Sequence, residues 1–316
     1  MTANIILGKQ LQQHLISEPL SAAARVGIQP TISLISVEND DPMLAINRGL
    51  HLRTFQANGV ACENVVLPGD TSLQALGLLI QEKNVDTAIH GVMVLLPLPE
   101  HLSIREILPL IDAAKELEGL HPEHSAALLT SNTERPDAVA PLVGESIVLA
   151  LAHQGISLEH QNIVVVTETK LMRDNPVANM MVRCAAARLF PVNSVLTLVP
   201  IEHPQARALT AEADLLIVSL ERPAAVDADW VKPGAPVLDF NPSLVGFKEQ
   251  EGGKPMPLLQ GGVDNESVAT TAGHLMPIPG GVGPVMLGIL MRNLARAALS
   301  PGREATPVVS TFSISA

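Results

Sequence analysis

The sequence predicts an α/β protein of two domains: an N-terminal three-layer α/β domain, then a Rossmann-like, doubly wound parallel sheet. Three observations carry this. Short apolar runs alternate with helical stretches in both halves, the pattern of βαβ units. The strand-like runs are apolar at nearly every position, as strands covered on both faces are. A chain of 316 residues that is 47% apolar also has enough core for two medium domains.

Ile6–Arg25 carries Leu7, Leu11 and Leu15 at helical spacing, with an interruption expected near Pro19. Thr31–Val37 reads as a strand. Pro42–Asn58 reads as a helix that starts behind Asp40-Asp41 and stops at Gly59. Val60–Leu67 is the next strand, Ser72–Lys83 a helix opened by Asp70 and Thr71, and Gly91–Leu95 an apolar strand. Pro141–His153 is a helix that crosses into the second domain. There Asn162–Thr167, Ser194–Val199, Leu215–Ser219 and Pro236–Phe240 read as strands, with helices over Pro176–Leu189 and Pro204–Ala211. Lys248–Pro257 is polar and glycine-rich, a surface loop. Val285–Ala298 is an apolar helix, and the stretch after Pro301 has no periodicity.

Aromatic residues are only 2% of the chain: no Tyr, one Trp (Trp230) and five Phe, so a site that stacks a flat ring has few residues to use. A net charge of −12 without a Lys/Arg cluster argues against nucleic acid and anionic membranes as partners. Cys62 and Cys184 read as free thiols of a reducing compartment. With no basic run ahead of an apolar segment at the N-terminus, and no window of eighteen uninterrupted apolar residues, the expected location is the cytoplasm.

Three segments carry chemistry. Met276–Pro284 holds three prolines and three glycines in nine residues, a stiff turn feeding a helix. The others are His90–Pro99, ending Leu95-Leu96-Pro97-Leu98-Pro99, and Lys115-Glu116-Leu117-Glu118-Gly119-Leu120-His121-Pro122. His121, Glu123 and His124 lie close together, but two His at i, i+3 make a poor zinc signature, and no metal is expected. In order and separation the three segments resemble the methylenetetrahydrofolate dehydrogenase/cyclohydrolase family, the FolD type.

The resemblance spans Ile6 to Ala298. It implies a folate-type catalytic domain over 1–140 with 283–300 and an NAD(P)-type domain over 141–282, while the aperiodic stretch 301–316 reads as a flexible tail. It implies a homodimer and a folate-like ligand. It also sets out which functional groups have changed. The family's Tyr-x-x-x-Lys pair falls on Asn47 and His51, its Gln on Leu95 and its pterin-binding Asp on Glu118. His51 and Glu118 are therefore the candidate catalytic residues. Asn47, Leu95, Pro97, Pro99, Pro279, Gly280 and Gly281 are the candidate substrate-binding residues.

The coenzyme loop of the family reads roughly Gly-x-Ser-x-x-Val-Gly-x-Pro. Here Thr167–Pro176 contains no glycine and places Glu168 and Asp174 where phosphates belong. Thr167, Thr169, Lys170 and Arg173 remain as a degenerate cofactor site. NADP is the coenzyme the family would use, and this loop is expected not to hold it. The functional expectation is a one-carbon folate enzyme that has lost dehydrogenation and keeps a cyclohydrolase-like proton transfer. The alternatives are a catalytically silent paralogue that binds a folate or another small ligand, and an enzyme repurposed for a specialised pathway.

Overall fold

The computed structural model describes residues 2–130, 138–174, 189–249 and 255–300, without the side chains of 129 and 172–174. Cys184, all of the predicted Pro176–Leu189 helix except Leu189, and the tail after Ser300 lie outside the described residues.

The chain begins with β1 (Asn4–Ile5) and α1 (Lys9–Arg25), followed by β2 (Thr31–Val37), α2 (Pro42–Ala57), β3 (Ala61–Leu67), α3 (Leu73–Val85) and β4 (Gly91–Val94). β2, β3 and β4 form a three-stranded parallel sheet in the order β3-β2-β4. α1 does not break at Pro19 as the sequence suggests. Leu11, Ile16 and Ala23 are buried on one face of it, and this tertiary burial outweighs the backbone hydrogen bond that proline removes. α2 starts where expected: Asp41 accepts a hydrogen bond from Met43 N at 2.8 Å, and Pro42 occupies the first turn. α3 is capped by Ser72, whose Oγ accepts from Ala75 N, rather than by Asp70 or Thr71.

Short helices α4 (Ile104–Ile107) and α5 (Pro122–Leu129) lead to α6 (Leu142–His153). Then come β5 (Asn162–Thr167), α7 (Thr169–Asp174), β6 (Val195–Pro200), α8 (Ala206–Ala211), β7 (Leu215–Ser219) and β8 (Pro236–Asp239). A second sheet has the order β1-β11-β8-β7-β5-β6, with β11 at His274–Met276, and every pairing is parallel. β1, at the start of the chain, is thus an edge strand of the second sheet and not of the first. Lys248–Pro257 is not simply a loop. Its flanks belong to an antiparallel hairpin of β9 (Ser243–Lys248) and β10 (Met256–Gln260). After α9 (Asn265–Val268), the chain ends its described part in α10 (Val282–Leu299).

α10 joins the two halves. Its Val285 and Ile289 pack with Ile147, Leu151, Ile163 and Ile217 of the second half. Its Leu290 and Leu294 pack with Ile32, Leu34, Phe55 and Leu95 of the first. An apolar helix of this length is stable in water here because protein surrounds it, and each buried Leu or Ile contributes about 1.5–3 kcal/mol.

Candidate active site

α2 carries Asn47 and His51 one turn apart, both half-buried. His51 Nδ1 lies 2.8 Å from the Asn47 carbonyl oxygen. A carbonyl only accepts, so Nδ1 holds the proton and donates. Nε2 is then the lone-pair nitrogen, with no hydrogen-bond partner among the described residues. The ring meets Phe55 edge-on, with centroids 5.8 Å apart. Burial lowers the imidazole pKa from its ordinary 6.5, partly opposed by the bond to Asn47. His51 is therefore mainly a neutral base near pH 7. Asn47 Nδ2 donates to the Leu96 carbonyl at 3.3 Å, tying α2 to the following turn.

That turn is held firmly. The Leu96–Pro97 peptide is cis. The Pro97 carbonyl accepts from Asn39 Nδ2 at 2.8 Å, and Asn39 Oδ1 accepts from Asp41 N. A cleft of about 610 Å³ opens beside it, lined by Asn39, Asp41, Leu44, Arg48 and Pro99 among others. His51 and Glu118 do not line this cleft. Leu95 is only 2% exposed and packs in one cluster with Phe55, Leu117 and Leu294. The structure thus puts Leu95, named from sequence as a ligand contact, in the core beneath the site. Its side chain offers no polar contact of its own.

Glu118 is half-buried, and its pKa is pushed up to about 8 by burial and then by the nearby Glu116 charge. No described residue makes a hydrogen bond to its carboxyl group. Its backbone, by contrast, is fully tied. Glu116, 2% exposed, accepts from the backbone N–H of Glu118 (2.6 Å), Leu120 (2.9 Å) and His121 (3.0 Å). Asn293 Nδ2 donates to the Leu117 carbonyl, and Leu142 N donates to that of Glu118. Gly119 sits at φ +72°, and a Cβ there would lie 2.4 Å from the Ala140 backbone. Lys115 donates from Nζ to the Lys83 and Asp86 carbonyls. Glu116 and Asn293 escape a sequence reading because a carboxylate that caps a turn carries no spacing signal. His121 and His124 serve this architecture too. His121 Nδ1 accepts from Glu123 N, and His124 bridges the Ala113 carbonyl and Val139 N.

Pro279, Gly280 and Gly281 form the predicted stiff turn, with a cis Ile278–Pro279 peptide and Gly280 at φ +96°. Gly8 N donates to the Gly280 carbonyl at 2.9 Å, and Asn265 Nδ2 donates to the Ile278 carbonyl. The turn locks the start of α1 to the start of α10. No hydrogen bond among the described residues joins it to Asn47, His51 or Glu118.

In the second half Thr167 ends β5 fully buried, its hydroxyl without a hydrogen-bond partner among the described residues. Thr169 and Lys170 are exposed at the start of α7, while the side chain of Arg173 lies outside the described residues. Glu168 is completely buried. Arg222 Nε stands 3.0 Å and Lys170 Nζ 3.3 Å from its carboxylate. Lys170 also pairs with Glu221 at 2.6 Å, and Arg222 with Glu202.

The profile of the family described as tetrahydrofolate dehydrogenase/cyclohydrolase, catalytic domain, matches residues 6–118, and its NAD(P)-binding domain profile matches residues 141–301. The chain belongs to this family. It is 33% identical to the bifunctional protein FolD of Bradyrhizobium sp. (strain ORS 278), over 94% of this chain and 96% of that protein. It is equally identical to the FolD of Streptococcus pneumoniae serotype 4, covering 93% and 95%. Among solved structures, the FolD of Campylobacter jejuni superposes with a TM-score of 0.75 at 25% identity, covering 94% of this chain and 98% of that one. The silkworm (Bombyx mori) 5,10-methylenetetrahydrofolate dehydrogenase gives 0.74 at 27%, with the same coverage.

Membership implies an NAD(P) site at the carboxyl ends of β5–β8. The described residues do not fit a dinucleotide there. A pyrophosphate needs close-approaching backbone N–H groups, but Thr169 N already donates to Glu202 Oε2 at 3.1 Å. The loop carries side chains throughout, and the buried Glu168 adds a negative charge beneath it.

Proposed function

We propose that this member of the tetrahydrofolate dehydrogenase/cyclohydrolase family binds a reduced folate in its first half and hydrolyses the methenyl bridge, hydride transfer having been lost. The observation that carries the reading is His51, a neutral imidazole with its tautomer set by the Asn47 carbonyl and Nε2 unengaged by any described residue. Water adds to the methenyl carbon and gives a proton to Nε2. The bond from that carbon to one ring nitrogen then breaks as His51 returns the proton to that nitrogen. The hydroxyl on the carbon gives its own proton to solvent and becomes the carbonyl of a formyl group on the other nitrogen. The cationic bridge and water thus yield a neutral formyl product and one released proton. Atoms and electrons balance without a redox partner. Glu118 faces the N–H donors of the amino-pyrimidine edge, and Asn47 keeps the 95–99 turn in register with α2. General-base assistance of this kind is worth about 10²–10⁴-fold.

The test is loss of methenyltetrahydrofolate absorbance with wild type and His51→Ala. A drop in rate of about 10²-fold or more is expected, and equal rates would remove His51 from catalysis. A second reading, ligand binding without turnover, draws on Leu95, because an apolar side chain orients neither water nor a carbonyl. Calorimetry that shows folate binding by a wild type with no hydrolysis above the buffer rate selects it. We also propose a homodimer. Val245, Phe247, Met256 and Leu258 of the β9–β10 hairpin are all exposed, and a two-stranded hairpin needs a covering surface.

A further inference from the structure

β6, β5 and β7 lie side by side and parallel, so the residues that follow them meet at one edge. In open parallel sheets this edge is where ligands bind. Here it is occupied by the chain itself. Glu168, after β5, is fully buried, and its carboxylate is met among the described residues by Arg222 Nε at 3.0 Å and Lys170 Nζ at 3.3 Å. Its charge is answered by Arg222 and Lys170, whose remaining capacity goes to Glu202, after β6, and Glu221, after β7. Glu202 takes more than an ion pair: its Oε2 accepts from both Thr169 N and Thr169 Oγ, each at 3.1 Å.

We propose that Glu202 is a built-in anion, whose carboxylate engages the amide, hydroxyl and guanidinium donors that a coenzyme phosphate would need and so closes this edge to NAD(P). The inference deepens the reading that hydride transfer is lost, and it gives the physical cause. Among the described residues, two cations, Lys170 and Arg222, face three carboxylates, Glu168, Glu202 and Glu221. An arriving phosphate must displace a tethered carboxylate and meet a net negative cluster. Replacing Glu202 and Glu221 by Gln leaves two cations over one carboxylate and frees the donors.

The experiment is calorimetric titration of the full chain with inorganic pyrophosphate and, separately, with NADP. Wild type is expected to show no saturation in the millimolar range. The E202Q/E221Q variant is expected to bind pyrophosphate at least about tenfold more tightly. E202Q alone provides the same comparison if the double variant does not fold, judged by circular dichroism. Micromolar binding of NADP to wild type overturns the proposal. So does a folded variant that binds pyrophosphate no better than wild type. Methenyltetrahydrofolate hydrolysis, measured on the same samples, reports on the first-half reading separately, so the two cannot fail for the same reason.

Discussion

His51 and Glu118 titrate in opposite directions, which gives the site a pH signature. Burial lowers the His51 pKa, so the free base persists to acid pH and kcat/KM should fall only below the ordinary imidazole range. Glu118 is raised from 4.5 to about 8. The folded chain therefore keeps this proton while the unfolded chain releases it. Its burial costs nothing below pH 4.5, progressively more as pH rises, and the full amount above about 8. Glu118→Gln should accordingly raise the melting temperature, with a gain that grows through this window to on the order of 2 kcal/mol after allowing for partial exposure. Thermal melts across that range check it, and a gain that shrinks with rising pH contradicts it. The sequence names both residues because a family motif marks their positions. It does not reveal Glu116, whose side chain accepts from backbone N–H groups within five residues. Nor does it pair Glu202 with Arg222, which only the parallel register brings together.

The elements themselves are legible where a pattern is long enough to show a period. Thr31–Val37, Asn162–Thr167 and Leu215–Ser219 match the predicted strands to the residue, since β-branched runs are bounded there by turns or polar residues. Asn4–Ile5 is too short to show any period. The β9–β10 hairpin hides in a stretch rich in Gly and Pro. Two substitutions test how elements present the site. Leu95→Gln, the family residue, places an amide among Phe55, Leu117 and Leu294. It should destabilise by about 1–3 kcal/mol in denaturant melts rather than restore function. Gly119→Ala combines positive φ with a clash against Ala140, so it should displace Glu118 and cost roughly 1–3 kcal/mol, with folate affinity lost in calorimetry. At the hairpin, Phe247→Glu should convert a dimer to a monomer in sedimentation equilibrium. An unchanged mass removes the hairpin from the interface.

At the scale of the molecule, α10 holds two halves that have diverged in different ways. The first has a turn architecture fixed by Glu116, Asn293 and the Asn39–Pro97 contact, and it carries the proposed base His51. The second keeps the sheet, and in our proposal Glu202 and the ion pairs around it close its ligand edge. Most of the parallel strands and the division into two α/β halves could be read from apolar runs, because burial on both faces of a parallel sheet imposes them. Which edge is open could not, because that depends on contacts between residues 20 and 51 positions apart. The measurement that bears most directly on this account follows the methenyl chromophore and NADPH together in one spectrophotometric experiment, starting from methenyltetrahydrofolate or from methylenetetrahydrofolate plus NADP. The account predicts methenyl decay above the buffer rate in the first case and no NADPH in the second; sustained NADPH formation would contradict it.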